Sequence, residues 1–407
     1  MRHTLLSVLR FVGLSALTTC LGVLLLLGGL FASRPSEQAR AEGMLLAQAA
    51  EWEDPTRRAA SIRALRSGNP EFDLMRRTFL ALSAAERGLT HPDEADRWLA
   101  LVDSLIATTE ADLAAGGHRH FLLGYADAKP WVDPTERSLF VDGELALMLG
   151  ARRMVRDDPE VAAAHRARVA DVVRAFEASP AGLPESYPDE AWLFCVTHAL
   201  VAVRLADLLD GTDHDALVTA FTDQARRDLT HSSGLLGSEF RTDGSMLDGP
   251  EGSSLWAVAT NLRLLDEGLA DEQYAGAVEA LSHEWLGLGW ASEWGPGWRG
   301  AVDIDSGPII PLLDASPSSS GFALMASRAF GDERRHRRLV RALAVPDLVL
   351  WVWPALAESP EWGMGQAVLL RGLMIGPLWD AAAHGPPVTG THSLRPPPRT
   401  HREGLPG

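Results

Sequence analysis

The chain has 407 residues, 46% of them hydrophobic and 22% charged, with 54 acidic against 37 basic side chains, two cysteines and a formal charge of −17. That balance excludes a collagenous, disulfide-stapled or wholly disordered protein, and it argues against a nucleic-acid binder, which needs a basic footprint to displace counterions. Lys129 is the only lysine, so Schiff-base and Walker-lysine schemes have one candidate and no supporting motif.

Residues 1–35 read as a membrane anchor or signal segment. Arg2 and Arg10 precede an uncharged stretch from Phe11 to Ser33. At about 1.5 Å per residue this reaches roughly 35 Å, enough to cross a hydrocarbon core of about 30 Å. A cleaved signal peptide is the alternative, but the nearest cut, after Ala32, places Leu30 where a small residue is wanted. Leu17-Thr-Thr-Cys20 is a poor lipoprotein box, because the apolar run continues past it. The positive-inside bias of an uncleaved anchor puts the acidic body outside the cytoplasm, periplasmic or extracellular, and cleavage would release it as a secreted protein. Cys195, the remaining cysteine, has no internal partner for a disulfide.

Beyond the anchor, apolar residues recur at helical spacing over 38–66, 71–88, 93–115, 136–157, 160–178, 189–209, 213–230, 253–268, 271–287, 317–331 and 363–382, with a weaker stripe near 333–345. Asn69-Pro70, His91-Pro92-Asp93, Asp158-Pro159 and Gly211-Thr212-Asp213 mark helix starts. Strand alternation is scarce. Short turns at 209–213 and 268–271 alternate with long segments at 116–135, 179–188, 231–252 and 288–316, rich in Gly, Pro, Trp and carboxylates. The expected fold is all-α, one domain of antiparallel helical hairpins over 36–383 whose long loops carry the binding residues, followed by a disordered Pro-rich tail over 384–407.

Three motifs sharpen this. Ser186-Tyr-Pro-Asp-Glu-Ala-Trp192 and Gly249-Pro-Glu-Gly-Ser-Ser-Leu255 open helices, and Asp303-Ile-Asp-Ser-Gly-Pro308 lies in a long loop. With the hairpin organisation, these resemble the α/α-toroid enzymes over roughly residues 43–382. Within that group the chain is most similar to bacterial proteins related to linalool dehydratase-isomerase, and more distantly to six-hairpin glycosidases. The resemblance implies an (α/α)6-like toroid with a central cavity. It transfers no catalytic residue.

The candidate residues are therefore read on their own chemistry. Asp303 and Asp305 flank Ile304, so an extended segment points both carboxylates to one side, where each would push the other's pKa away from its own. They are the strongest catalytic candidates, with loop solvation as the alternative. Asp189 and Glu190 are expected in the first turn of a helix, where the macrodipole favours negative charge; Asp189 is divided between cap and site, and Glu190 reads as a cap. Cys195 and His198, three apart on that helix, could pair as thiol and imidazole, although the helix is apolar enough for a buried structural cysteine. Glu251 at a helix start, with Glu239, Asp243 and Asp248 around Arg241, forms a second acidic loop. Asp142 and Glu144 are weaker candidates. Tyr187, Trp192, Arg241, Trp290, Trp294 and Trp298 are candidates for substrate binding, the tryptophans as stacking faces, packing residues or interfacial anchors.

His118 and His120 stand alone as an H-x-H, and no nucleotide or serine-hydrolase motif is present, so neither metal nor cofactor is expected. Arg334-Arg335-His336-Arg337-Arg338 is expected to form a solvated face, or to meet anionic lipid headgroups. The leading expectation is a membrane-anchored extracytoplasmic acid–base hydrolase or lyase acting on a glycan or polyol. A dehydratase or isomerase of a small apolar alcohol, and a tethered non-catalytic binding protein, are the alternatives.

Overall fold

Helices begin where an Asp, Asn or Ser is followed by proline. Asp54 caps the helix beginning at Pro55 by accepting from Thr56 N at 2.8 Å, Asn69 accepts from Glu71 N at 2.9 Å, and Ser316 accepts from Ser319 N at 3.0 Å, each with proline at the next position. The side chain satisfies an orphan N–H while proline presets φ and gives up an N–H that needs no partner. A computed structural model describes residues 36–295, 297, 309–353 and 359–384, together with Thr18 and Gly22.

The protein is mostly helical, as expected. The long helices run α1 Glu37–Glu53, α2 Pro55–Gly68, α3 Pro70–Thr90, α4 Ala95–Gly116, α5 Leu139–Val155, α6 Pro159–Ala178, α7 Leu193–Asp210, α8 Asp215–Asp228, α9 Gly252–Leu262, α10 Glu267–Leu281, α11 Pro317–Ala329, α12 Glu333–Ala342, α13 Ala344–Val352, α14 Pro360–Met374 and α15 Pro377–His384. The stripe expected over 38–66 is cut at Asp54-Pro55, since proline cannot continue α1. The helix expected from Asp189 starts instead at Leu193. The residues before it enter a small antiparallel sheet of β1 Ala191–Trp192, β2 Glu239–Phe240 and β3 Met246–Asp248, with Ala191 opposite Phe240 and Glu239 opposite Asp248. A second hairpin, β4 Ser282–Trp285 and β5 Leu288–Ala291, occupies part of the expected long loop.

Six helices touch in cyclic order: α3, α5, α7, α9, α11, α14, and α14 returns to α3. Helices α4, α6, α10 and α12 each cover the ring member that precedes them, while α1 and α2 lie on α14. The ring members are the buried ones, and every residue of α9 is buried. Helices that are apolar all round belong in an interior. Two close approaches need glycine: a Cβ on Gly143 would lie 3.0 Å from that of Ala199, where α5 meets α7, and one on Gly252 would lie 2.2 Å from Ser319 Oγ, where α9 meets α11.

Hydrogen bonds bring the ring helices' N-terminal ends together. Leu139 N donates to Glu185 O at 2.7 Å, Leu193 N to Ser238 O at 3.0 Å, Glu251 N to Ser238 Oγ at 3.0 Å, and Gly252 N to Glu293 O at 2.8 Å. The opposite end is covered by α15, which rests on α3 and α7. There Glu86 accepts from Arg371 at 3.0 Å, Gly376 N at 3.1 Å and Leu378 N at 2.7 Å. Among the described residues no helix is long and apolar enough to cross a membrane. Apart from Thr18 and Gly22, the apolar run 11–33 lies outside them, as does the tail from residue 385.

Candidate functional site

The shared N-terminal end of the ring gathers carboxyls. Glu71, in the first turn of α3, accepts from Tyr187 OH at 2.5 Å, and that phenol oxygen in turn accepts from Leu123 N at 2.9 Å. Tyr125 stacks on Tyr187 with ring centroids 5.1 Å apart and donates to Glu190 at 2.7 Å. Lys129 also bonds Glu190, and its ammonium stands 5.3 Å from the Tyr125 ring centroid. Both phenols are held well above their ordinary pKa, Tyr125 by burial and its bond to Glu190, Tyr187 by burial and the charge of Glu71. They act as hydrogen-bond donors, not as bases.

Glu251 lies beside this group as the residue preceding α9, and its backbone bridges to Trp294. Burial, then the charges of Asp248 and Glu293, a hydrogen bond with Asp248 and the charge of Glu239 push its carboxyl well above the usual range. Carboxyls that titrate apart in one place give an acid and a base at the same pH. Glu293 has a different job. Fully buried, it accepts from Ser253 N at 2.8 Å, Ser253 Oγ at 2.6 Å and Ser316 Oγ at 2.5 Å, tying the starts of α9 and α11 together.

Glu144, on α5, sits deeper. It is 1% exposed, and neither carboxyl oxygen makes a hydrogen bond to the described residues. The Thr78 hydroxyl stands close enough to lower its pKa but is directed at Leu74 O, 3.3 Å away. Burial dominates and lifts Glu144 to about 8, which keeps it protonated at neutral pH. Cys195 is its neighbour: burial pushes the thiol up, and the charges of Glu71 and Glu144 add to that. A neutral thiol in this setting is a poor nucleophile.

The sequence-derived candidates divide accordingly. Glu251, Tyr187 and Cys195 belong to this cluster. His198 does not pair with Cys195: its Nδ1 lies 2.9 Å from Phe194 O and 3.1 Å from Asn261 Nδ2, and burial lowers its pKa to about 4. Asp189 occupies a turn at φ 58°, accepts from Arg241 at 3.2 Å and Thr242 at 2.8 Å, and so clamps the β2–β3 turn. Trp192 precedes α7 with its indole N–H buried and unpaired to the described residues. Trp290 donates to Leu313 O at 2.9 Å and stacks on His283, in a cleft bordered by α12. Trp298, Asp303 and Asp305 lie outside the described residues. His118 accepts from Ser138 N at 3.1 Å.

Sequence reading missed Glu71, Tyr125 and Lys129 and undervalued Glu144. Asn69-Pro70-Glu71 was a usable signal, because it places an acid at the first turn of a helix that turns out to be a ring member. No protein-family model and no curated protein sequence matches the chain, so its own side chains carry the functional reading.

Proposed function

We propose that the chain is an extracytoplasmic acid–base enzyme, a hydrolase or lyase, tethered by its N-terminal apolar segment. The cyclic order of six helices, five of them backed by an outer helix, supports reading the fold as an (α/α)6-like toroid of antiparallel hairpins. The observation that carries the reaction class is Glu251: a carboxyl that burial, the charges of Asp248 and Glu293 and a hydrogen bond with Asp248 push well above the usual range, at the end of the ring where the loops converge. Glu251 serves as the proton donor and Asp248 as its partner base. Glu190 accepts from Tyr125 and bonds Lys129 within this group. The substrate class proposed is a glycan or polyol.

Turnover is measured with the full chain against neutral and acidic oligosaccharides and terpenoid alcohols, comparing Glu251→Gln and Asp305→Asn. Loss of a positioned acid costs about 10²–10⁴-fold, and Glu251→Gln should fall in that range. Equal turnover by wild type and Glu251→Gln removes this residue from the mechanism. Glu144 favours a second reading, a dehydratase or isomerase of a small apolar alcohol, because a buried protonated carboxyl beside a neutral thiol suits an uncharged hydroxyl leaving group. Turnover of terpenoid alcohols that needs Glu144 but not Glu251 would select it. Binding without turnover of any class would leave a tethered binding protein.

A further inference from the structure

The chain exposes large apolar side chains on neighbouring segments. The β4–β5 hairpin tip presents Trp285, 65% exposed, and Leu286, 80% exposed; the turn bonded to β5 presents Leu312 and Leu313; α13 presents Val345 and Val349, and Trp353 follows it. These segments adjoin one another. Hairpin strand β5 lies on α12, α13 follows α12 directly, and Leu313 is bonded to Trp290 on β5.

The hairpin tip breaks a local rule. Leu286 and Gly287 form its two-residue loop at φ 48° and 81°, the double positive φ of a type I′ turn that favours Asn-Gly. Leucine there pays steric strain, and at this exposure it recovers nothing from folding. Leu312 likewise sits at φ 73° with its side chain in solvent. Where a sequence breaks a local rule without a gain in folding, function is the usual reason.

Two further observations say what covers the surface. Helix α12 carries Arg334, Arg335, Arg337, Arg338 and Arg341 in a chain of net charge −17; Arg334 and Arg338 pair with Glu284 on β4, Arg335 with Asp332 and Arg337 with Glu333, so five cations meet three carboxylates here. The start of α1, which follows the apolar run 11–33 in sequence, is bonded to this face: Glu37 bonds His336 at 2.8 Å and Arg328 at 3.0 Å, and Arg40 pairs with Asp347 on α13 at 2.7 Å. We infer that this face, formed by the β4–β5 tip, the 310–313 turn, α12 and α13, lies on an anionic phospholipid surface. Its tryptophans and leucines enter the headgroup layer and its arginines meet lipid phosphates. The inference rests in part on the proposed anchor, since a tether emerging at this face would hold it against the bilayer.

The test uses the full chain in a Cys20→Ser background, with an environment-sensitive fluorophore on Leu286→Cys, Leu312→Cys or, as control, Ala167→Cys on α6 across the ring. Proteins are mixed with phosphatidylcholine vesicles, with or without phosphatidylglycerol, that carry brominated acyl chains; flotation reports the anchor separately. The expected result is quenching at 286 and 312 several-fold above that at 167, increased by phosphatidylglycerol and reduced by Arg334→Glu with Arg337→Glu. Flotation without preferential quenching keeps the anchor and overturns the face. Quenching at 286 and 312 without stable flotation keeps the face and overturns the anchor, and absence of both overturns both.

Discussion

Helix α3 carries a glutamate near each end, about 22 Å apart at 1.5 Å per residue, and the fold treats them in opposite ways. Glu86 is buried against Arg371 and two backbone N–H groups, which oppose the upward push of burial on its pKa. Glu71 joins tyrosines and other carboxyls at an end where Asp248, Glu239 and Glu293 raise one another's neighbour Glu251. Identical side chains thus join a buried ion pair at one end and a cluster of tyrosines and carboxyls at the other.

The largest effect should come from breaking the closed end. Arg371→Met leaves Glu86 buried without its cation and should cost roughly 3–5 kcal/mol in denaturant unfolding, most of it recovered when Glu86→Gln is added. A cost below 1 kcal/mol would mean that the two ends are less different than their partners imply.

The next effect lies in pH. An unfolded glutamate ionises near 4.5 and folded Glu144 near 8, so its contribution to stability is full below 4.5 and is lost as pH rises through 8. His198 runs the other way: its contribution is present above 6.5 and is lost as pH falls through about 4. Glu144→Gln should therefore gain on the order of 2–4 kcal/mol over wild type above pH 8, read from thermal unfolding across pH. An unchanged alkaline limb would contradict a neutral Glu144.

Smaller changes test how the carboxyl-bearing end is held. Tyr187→Phe removes the donor to Glu71 and the acceptor for Leu123 N, at a cost of about 1–3 kcal/mol by chemical unfolding. Arg241→Ala breaks a pair whose side chains are 51% and 37% exposed, and should change stability by less than about 0.5 kcal/mol. A large loss there would show that the Asp189 clamp organises the β2–β3 turn.

Local chemistry made the helical class readable. Asn69-Pro70 and Asp158-Pro159 each specify a helix start within a few residues, and the structure honours them; Asp54-Pro55 carries the same signal inside a stripe read as one helix over 38–66. The site was less readable because its bonds span the chain: Tyr187 and Glu71 are 116 positions apart, Tyr125 and Glu190 are 65. Asp189 was expected in a helical first turn because its stripe begins there. The pairing of Ala191 and Trp192 with β2 delays the helix, so the acid lands in a strained turn facing Arg241. Glu144 looked like one more acid on a helix, since only burial on every side distinguishes it from a solvated one.

The placement of α14 bears on how the protein is made. This helix fills the gap between α11 and α3, and α1 and α2 lie against it, so the first and last parts of the chain form a single seam. Its bonds join positions as far apart as Arg40 and Asp347, or Gln48 and Gln366. During synthesis at about 5–20 residues per second, α3 must wait for more than 280 further residues before its flank is covered. Such non-local closure slows folding and leaves apolar helix faces open to wrong partners in the meantime. The nascent chain should therefore depend on protection until α14 emerges.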